Sequence, residues 1–314
     1  GEQGGLEAWE RRLWSEGFQV VAGTDEAGRG PLAGPVVAGV FAVLDREDAE
    51  VAGVLAKVAD SKGMTEEQRE EVYGELTDPR FKGRTVWAVA EASAEEIDAS
   101  NILRAALSAM ARAVRALEAR PDCVLVDGCN RPPDLLRPGE QWTRGPKAAE
   151  QAKKDVKQQR LSSFFAAAKP AEPPPAPEPA ADSESAWLPR RVEAVVGGDG
   201  LVPCVSAASI LAKVHRDRLM AQLHEARPEY GFDVHKGYPT AAHLEAIRKH
   251  GVCPEHRRSF GPVRQALGLD ADSETVTPPR RGLREAFGLG PVQETAKVPA
   301  AAAAPAPAEA GAEA

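Results

Sequence analysis

Residues 23–35 read GTDEAGRGPLAGP, and the reading of that stretch decides the fold. Asp25 and Glu26 stand side by side although neighbouring carboxylates repel, and Gly28-Arg29-Gly30 follows at once. Before it, FQVVAG (18–23) is a short apolar run, read as a buried strand ending in the acidic turn. After it, PVVAGVFAVL (35–44) is a second strand, near enough to pair with the first across the glycines. Successive backbone N–H groups in such a turn can approach a phosphate or hydroxyl closely, because no side chain intervenes, and Arg29 adds a planar fork that fits a phosphate. A nucleotide P-loop is excluded, since GxxxxGK[ST] is absent.

Further along, Thr65 and Gln68 form a capping-box pattern that opens a helix reaching about Leu76. RTVWAVAEA (84–92) alternates as a third strand. Past Ser100, apolar residues at Ile102, Leu103, Ala106, Leu107, Met110, Val114 and Leu117 keep helical spacing. CVLVDG (123–128) and VEAVVGGDG (192–200) repeat one design, an apolar run with an aspartate at its end, Asp127 and Asp199. Helices follow from Ser206 and through TAAHLEAIRKHG (240–251). That order predicts an α/β protein: a mixed sheet flanked by helices, with a C-terminal helical part.

The formal net charge is −8 over 314 residues, which alone does not suggest nucleic acid. Much of the acidity sits outside the expected domain of residues 17–130 and 191–269. Residues 131–190, with AEPPPAPEPAADSES, form an expected disordered insertion, and 270–314 an expected low-complexity tail. Residues 213–258 instead hold Lys213, Arg216, Arg218, Lys236, Arg248, Lys249, Arg257, Arg258 and the chain's histidines, a basic side. Cys123, Cys129, Cys204 and Cys253 make no CxxC pair, which argues against zinc or a disulfide framework and fits a reducing compartment. No apolar run reaches the length of a membrane span. The chain begins GEQGG without methionine, which leaves a preceding targeting segment open.

Strand ends thus carry Asp25 with Glu26, Asp127 and Asp199, and ligands of α/β sheets collect at the carboxyl ends of strands. Four carboxylates in one cleft need counter-charge, and hard oxygen donors suit Mg²⁺ or Mn²⁺. Two such ions about 4 Å apart can activate a water and stabilise the leaving oxygen of a phosphodiester. Each Asp-Gly alone reads more simply as a solvated turn. The recurrence after successive apolar strands favours a site.

TDEAGRGPLAGPVV, DSKGM (60–64), SNIL (100–103), VLVDG (124–128), GGDG (197–200), SAASILAKVHRDRLM (206–220), YGFDVHKGYPT (230–240) and HRRSFGPV (256–263) occur in that order. Together they resemble bacterial-type ribonuclease HII, the type 2 ribonuclease H family. The resemblance implies a ribonuclease H-like fold and a metal-dependent endonuclease. Such enzymes cut the RNA strand of RNA–DNA hybrids and incise 5′ of single ribonucleotides in duplex DNA. It also implies that Asp25, Glu26, Asp127 and Asp199 bind the metals and that Gly28, Arg29 and Gly30 sense the ribose 2′-hydroxyl. Tyr238 would pack on that sugar. The 2′-hydroxyl is the group that separates RNA from DNA. Lys62, Lys213 and Lys236 are candidate phosphate contacts. The histidines read as structural or surface residues. Gly63, Met64 and Cys129 depart from the family's usual residues.

Within the insertion, Gln158, Leu161, Phe164 and Phe165 satisfy Q-x-x-[ILM]-x-x-[FY]-[FY] and resemble the PIP box that docks on the sliding clamp PCNA. Lys153, Lys154 and Lys157 beside it would steer toward an acidic surface. The simpler alternative is an amphipathic helix that packs back on the domain. A clamp partner favours a nucleus, with plastid, mitochondrion or cytoplasm as alternatives. The expected molecule is a monomer tethered to the clamp, without a membrane. Competing readings are a nuclease for DNA alone and a non-catalytic clamp adaptor on the same fold.

Overall fold

The computed structural model describes residues 8–58, 63–140 and 187–269. Lys62 and the four PIP-like residues, Gln158, Leu161, Phe164 and Phe165, lie outside them. Helix α1 (Ala8–Ser15) leads into β1 (Val21–Ala27) and β2 (Val36–Val43). After α2 (Ala49–Val58) and α3 (Glu66–Leu76) comes β3 (Thr85–Ala92). Then α4 (Ala94–Ala99), α5 (Ile102–Arg115), β4 (Cys123–Asp127) and β5 (Arg191–Val195) follow. The last helices are α6 (Pro203–Ala226), α7 (Phe232–His235), α8 (Ala241–His250) and α9 (Gly261–Ala266).

The sheet order is β3-β2-β1-β4-β5. β1 pairs antiparallel with β2 and parallel with β4, and β4 is parallel to β5. Because strand side chains alternate between faces, the sheet feeds two cores. Val21, Phe41, Cys123 and Leu125 pack with α6 on one face, and Ala22, Val40, Val124 and Val126 with α5 on the other. Leu107, Met110 and Val114 of α5 are buried, worth roughly 1.5–3 kcal/mol each. The expected mixed sheet between helices is the architecture found.

Several expected boundaries move. β1 does not stop at Gly23 but runs through Asp25 and Glu26 to Ala27, so the acids belong to the strand and the glycine turn begins after them. Asp199 lies past β5, on the 3₁₀ turn Gly198–Gly200 rather than at a strand end. Asn101, not Ser100, caps α5, and Ser93 with Glu96 forms a capping box on the unforeseen α4. The ends of the expected insertion are built into the fold: Leu135 is fully buried and Trp187 packs on the same core. Helix α1, ahead of the expected start at residue 17, buries Leu13, and its Glu10 accepts from Cys204 N–H at 3.2 Å, capping α6.

Helix α6 rides close on the sheet because Gly23 and Gly39 face it. A Cβ on Gly23 would stand 2.3 Å from Val205 N and one on Gly39 2.3 Å from Ala208 O. Both obstacles are backbone, so the helix itself would have to shift. Gly39→Ala is therefore expected to cost about 3 kcal/mol or more in urea unfolding. Gly53→Ala, at an open position on α2, should instead stabilise by about 0.5–1 kcal/mol.

Candidate active site

Parallel pairing of β1 with β4 brings the acids together. Thr24 is in register with Val126, so the next residues, Asp25 and Asp127, fall at one level on adjacent strands. Asp25 is only 6% exposed. It accepts from Glu26 N–H at 2.7 Å and from the Ser209 hydroxyl. Burial, then the charges of Glu26 and Asp127, holds Asp25 well above the usual carboxylate range. Burial also raises Glu26, against the opposing pull of Arg29, whose Nη1 lies 3.0 Å from Glu26 Oε1. Asp127 is raised by burial and by the charge of Asp199. It accepts from Asp199 N–H at 3.4 Å, and Ser206 Oγ donates to Asp199 O at 2.6 Å, tying the 3₁₀ turn to α6.

Among the described residues no three Asp, Glu, His or Cys side chains already stand as a ligand group. Asp25, Glu26 and Asp127 raise one another or are raised by a neighbouring acid, and each accepts from a protein donor. As a donor set the four acids consist of hard carboxylate oxygens with no Cys or His among them, which suits a hard divalent cation.

Beside the acids opens a cleft of about 320 Å³ whose lining includes Glu26, Gly28, Arg29, Gly30, Lys213 and Tyr238. Most of the sequence-predicted substrate residues thus share one wall. Tyr238 lies across from Gly30, where an added Cβ would stand 3.4 Å from its ring. Lys213 reaches the cleft but is paired with Asp217 at 2.7 Å. Lys236 does not line it; its ammonium lies 3.5 Å from Glu66 of α3.

Two arginines hold this wall from behind, and their role was not read from the sequence. Arg216 is 1% and Arg257 0% exposed. All their hydrogen bonds among the described residues go to backbone carbonyls. Arg257 donates to Gly28 O at 2.7 Å, Arg29 O at 3.1 Å, Gly34 O at 2.9 Å and Pro35 O at 3.1 Å. Arg216 donates to Ala33 O, Pro35 O and Lys236 O. Burial lowers both, Arg257 to about 9. With its carbonyls drawn back, the turn keeps the N–H groups of Gly28, Arg29 and Gly30 without an acceptor among the described residues. Gly28 must be glycine: its φ is +95°, and a Cβ would lie 2.0 Å from Arg216 Nε. Ser209 was also missed. An "R" in HRRSF or AKVHRD carries no sign of which carbonyls it will find.

Folding raises Asp25, so the folded state keeps its proton at pH values where the unfolded chain has released it. Stability contributed by that carboxyl is full below the unfolded value, about 4, and is lost as pH rises through the folded one. In EDTA, Asp25→Asn is therefore expected to gain roughly 1–2 kcal/mol in urea unfolding at pH 7, with the gain shrinking toward pH 4.

Comparison with known proteins follows the same lines. The family model for ribonuclease HII matches residues 22–169 and 171–263. A ribonuclease HII of Ralstonia nicotianae is 42% identical over 252 residues, covering 79% of this chain and 80% of that relative. A second, from Acidovorax sp., is 44% identical over 248 residues, covering 79% and 88%. The crystal structure of ribonuclease H2 from Pyrococcus horikoshii OT3 superposes with a TM-score of 0.52 at 25% identity, covering 81% of this chain and all of that one. The fold is ribonuclease H-like, the activity is that of a ribonuclease H, and the chain belongs to the ribonuclease HII family.

Proposed function

We propose that this chain is a metal-dependent endoribonuclease that cuts the RNA strand of RNA–DNA hybrids and incises 5′ of ribonucleotides embedded in duplex DNA. The observation that carries the reading is a single cleft lined by Glu26, by Tyr238 and by the Gly28-Arg29-Gly30 turn, whose N–H groups have no backbone acceptor among the described residues. Asp25, Glu26, Asp127 and Asp199 would hold Mg²⁺ or Mn²⁺. Bound there, the ions supply Lewis acidity toward the phosphodiester and an activated water.

The chain's own residues supply the rest. N–H groups of Gly28, Arg29 and Gly30 offer donors to a 2′-hydroxyl, which deoxyribose lacks, and an unmatched donor set penalises the wrong sugar. Tyr238 offers an aromatic face to the same sugar. Arg29, 51% exposed at its side chain, can exchange Glu26 for a phosphate, freeing that carboxylate. Lys213 adds a phosphate contact that positions without reading sequence.

A duplex with one ribonucleotide, offered with Mg²⁺, Mn²⁺ or EDTA, tests this. Incision 5′ of the ribonucleotide is expected with either metal and none with EDTA, and Asp127→Asn should reduce the rate by about 10³-fold or more while binding persists. Equal cutting of an all-DNA duplex would make it a DNA nuclease. Binding without incision would make it an adaptor.

Recruitment by a sliding clamp is part of the proposal and rests on the Gln158, Leu161, Phe164 and Phe165 pattern. Aromatic anchors dominate such small interfaces. Replacing Phe164 and Phe165 by alanine in the full chain is expected to weaken PCNA binding about 100-fold or more, measured by calorimetry, with incision of free duplex unchanged. Equal binding by the double variant would remove the clamp, and with it the nuclear placement.

A further inference from the structure

Tyr238 is held from inside the protein by imidazoles that never reach the cleft. Its carbonyl lies 3.0 Å from His243 Nδ1. A carbonyl only accepts, so His243 carries its proton on Nδ1 and, when neutral, offers Nε2 as an acceptor. His243 Nε2 lies 3.0 Å from His256 Nε2, so His256 donates there and keeps Nδ1 as its acceptor. That nitrogen receives the Cys253 N–H at 3.0 Å and faces the Cys253 thiol sulfur at 2.9 Å. Donation therefore runs one way, from Cys253 to His256 to His243 to Tyr238. The opposite order is closed off because the Cys253 N–H can only donate.

The relay is sealed. His243 is 0% and His256 1% exposed, and burial pushes each down to about 4, which keeps both neutral at physiological pH. His235 stacks on His243 at 4.4 Å between centroids. It accepts from Gly237 N–H at 3.2 Å, and its Nε2 donates to Tyr230 O at 2.7 Å.

The turn leading to Tyr238 is also strained. Lys236 is the one non-glycine among the described residues with positive φ, at 49°. Such conformations persist where the surroundings over-determine them. Here Arg216 takes Lys236 O, Leu32 N–H takes Gly237 O at 2.8 Å, and His243 takes Tyr238 O.

We propose that His243, oriented by His256 and Cys253, is a positioning residue that fixes Tyr238 opposite Gly30 and so sets how strongly the cleft distinguishes ribose from deoxyribose. The proposal rests on the reading of Tyr238 as the sugar-packing residue. A purely structural role would lower stability without changing the sugar preference of the folded protein.

The test uses the full chain carrying Asp127→Asn, and compares affinity for a duplex with one ribonucleotide against the all-DNA duplex. His243→Phe keeps a ring and removes the donor. It is expected to lower the ribose preference about tenfold, with all-DNA affinity within about twofold. His243→Asn places an amide N–H near the Nδ1 position and should restore most of the preference, whereas His243→Gln places it near Nε2 and should not. That polar pair decides the matter if His243→Phe does not fold. In a Tyr238→Ala background His243→Phe should cost nothing more. An unchanged preference in both His243→Phe and His243→Gln, or an additive loss with Tyr238→Ala, overturns the proposal. If Tyr238→Ala alone keeps the full preference, the reading of Tyr238 fails and takes the proposal with it. If Tyr238→Ala loses the preference while the His243 variants keep it, only the proposal fails.

Discussion

The cleft depends on two buried guanidinium groups that bind carbonyls instead of carboxylates. Burying a charge is expensive unless its hydrogen bonds are replaced, and Arg257 replaces them with four carbonyls of the segment from Gly28 to Pro35. Arg216 adds Ala33, Pro35 and Lys236, joining that segment to the turn before Tyr238. A loop would ordinarily leave such carbonyls to water. Here they are fixed from inside, while the N–H groups of Gly28, Arg29 and Gly30 have no backbone acceptor among the described residues. One residue, Arg216, thereby sets both sides of the slot between Gly30 and Tyr238.

At the acids beside the cleft the logic reverses. Asp25, Glu26 and Asp127 are raised by burial and by one another, so the folded chain holds a site that costs stability without counter-charge. Helix α6 limits that cost with hydroxyls: Ser209 reaches Asp25, and Ser206 secures the turn that carries Asp199. The same helix can do so only because Gly23 and Gly39 let it lie against the strands. Stability is given up locally at the acids and recovered in the two apolar layers around them.

Much of the site was legible because its signals are local. Apolar runs ending in Asp-Gly located β4, and the period of Ile102 to Leu117 located α5 almost to the residue. Ser93-x-x-Glu96 was an equally local capping signal and would have revealed α4. The misreading of β1 has a physical source. Strand periodicity was taken from apolar residues, while Asp25 and Glu26 remain in the strand because β2 supplies ladder partners at Gly39 and Ala38. Propensity cannot anticipate pairing with a neighbour. Histidines read as structural or surface residues carry no sign of their chain to Tyr238, because its central link joins His243 to His256, 13 positions apart, and only folding brings them within hydrogen-bond reach.

The sequence by itself determined most element types and the family, and it singled out the candidate acids, because periodicity, turn residues and motif order are written along the chain. Only the tertiary structure decided that Asp25 and Asp127 stand level, since register between β1 and β4 is a property of two strands far apart in sequence. It alone decided that Arg216 and Arg257 meet carbonyls rather than phosphates, that Lys236 turns away to Glu66, and that Tyr238 is held by His243. A side chain's chemistry is fixed by its type, but which partner it satisfies is set by what folding brings within hydrogen-bond reach.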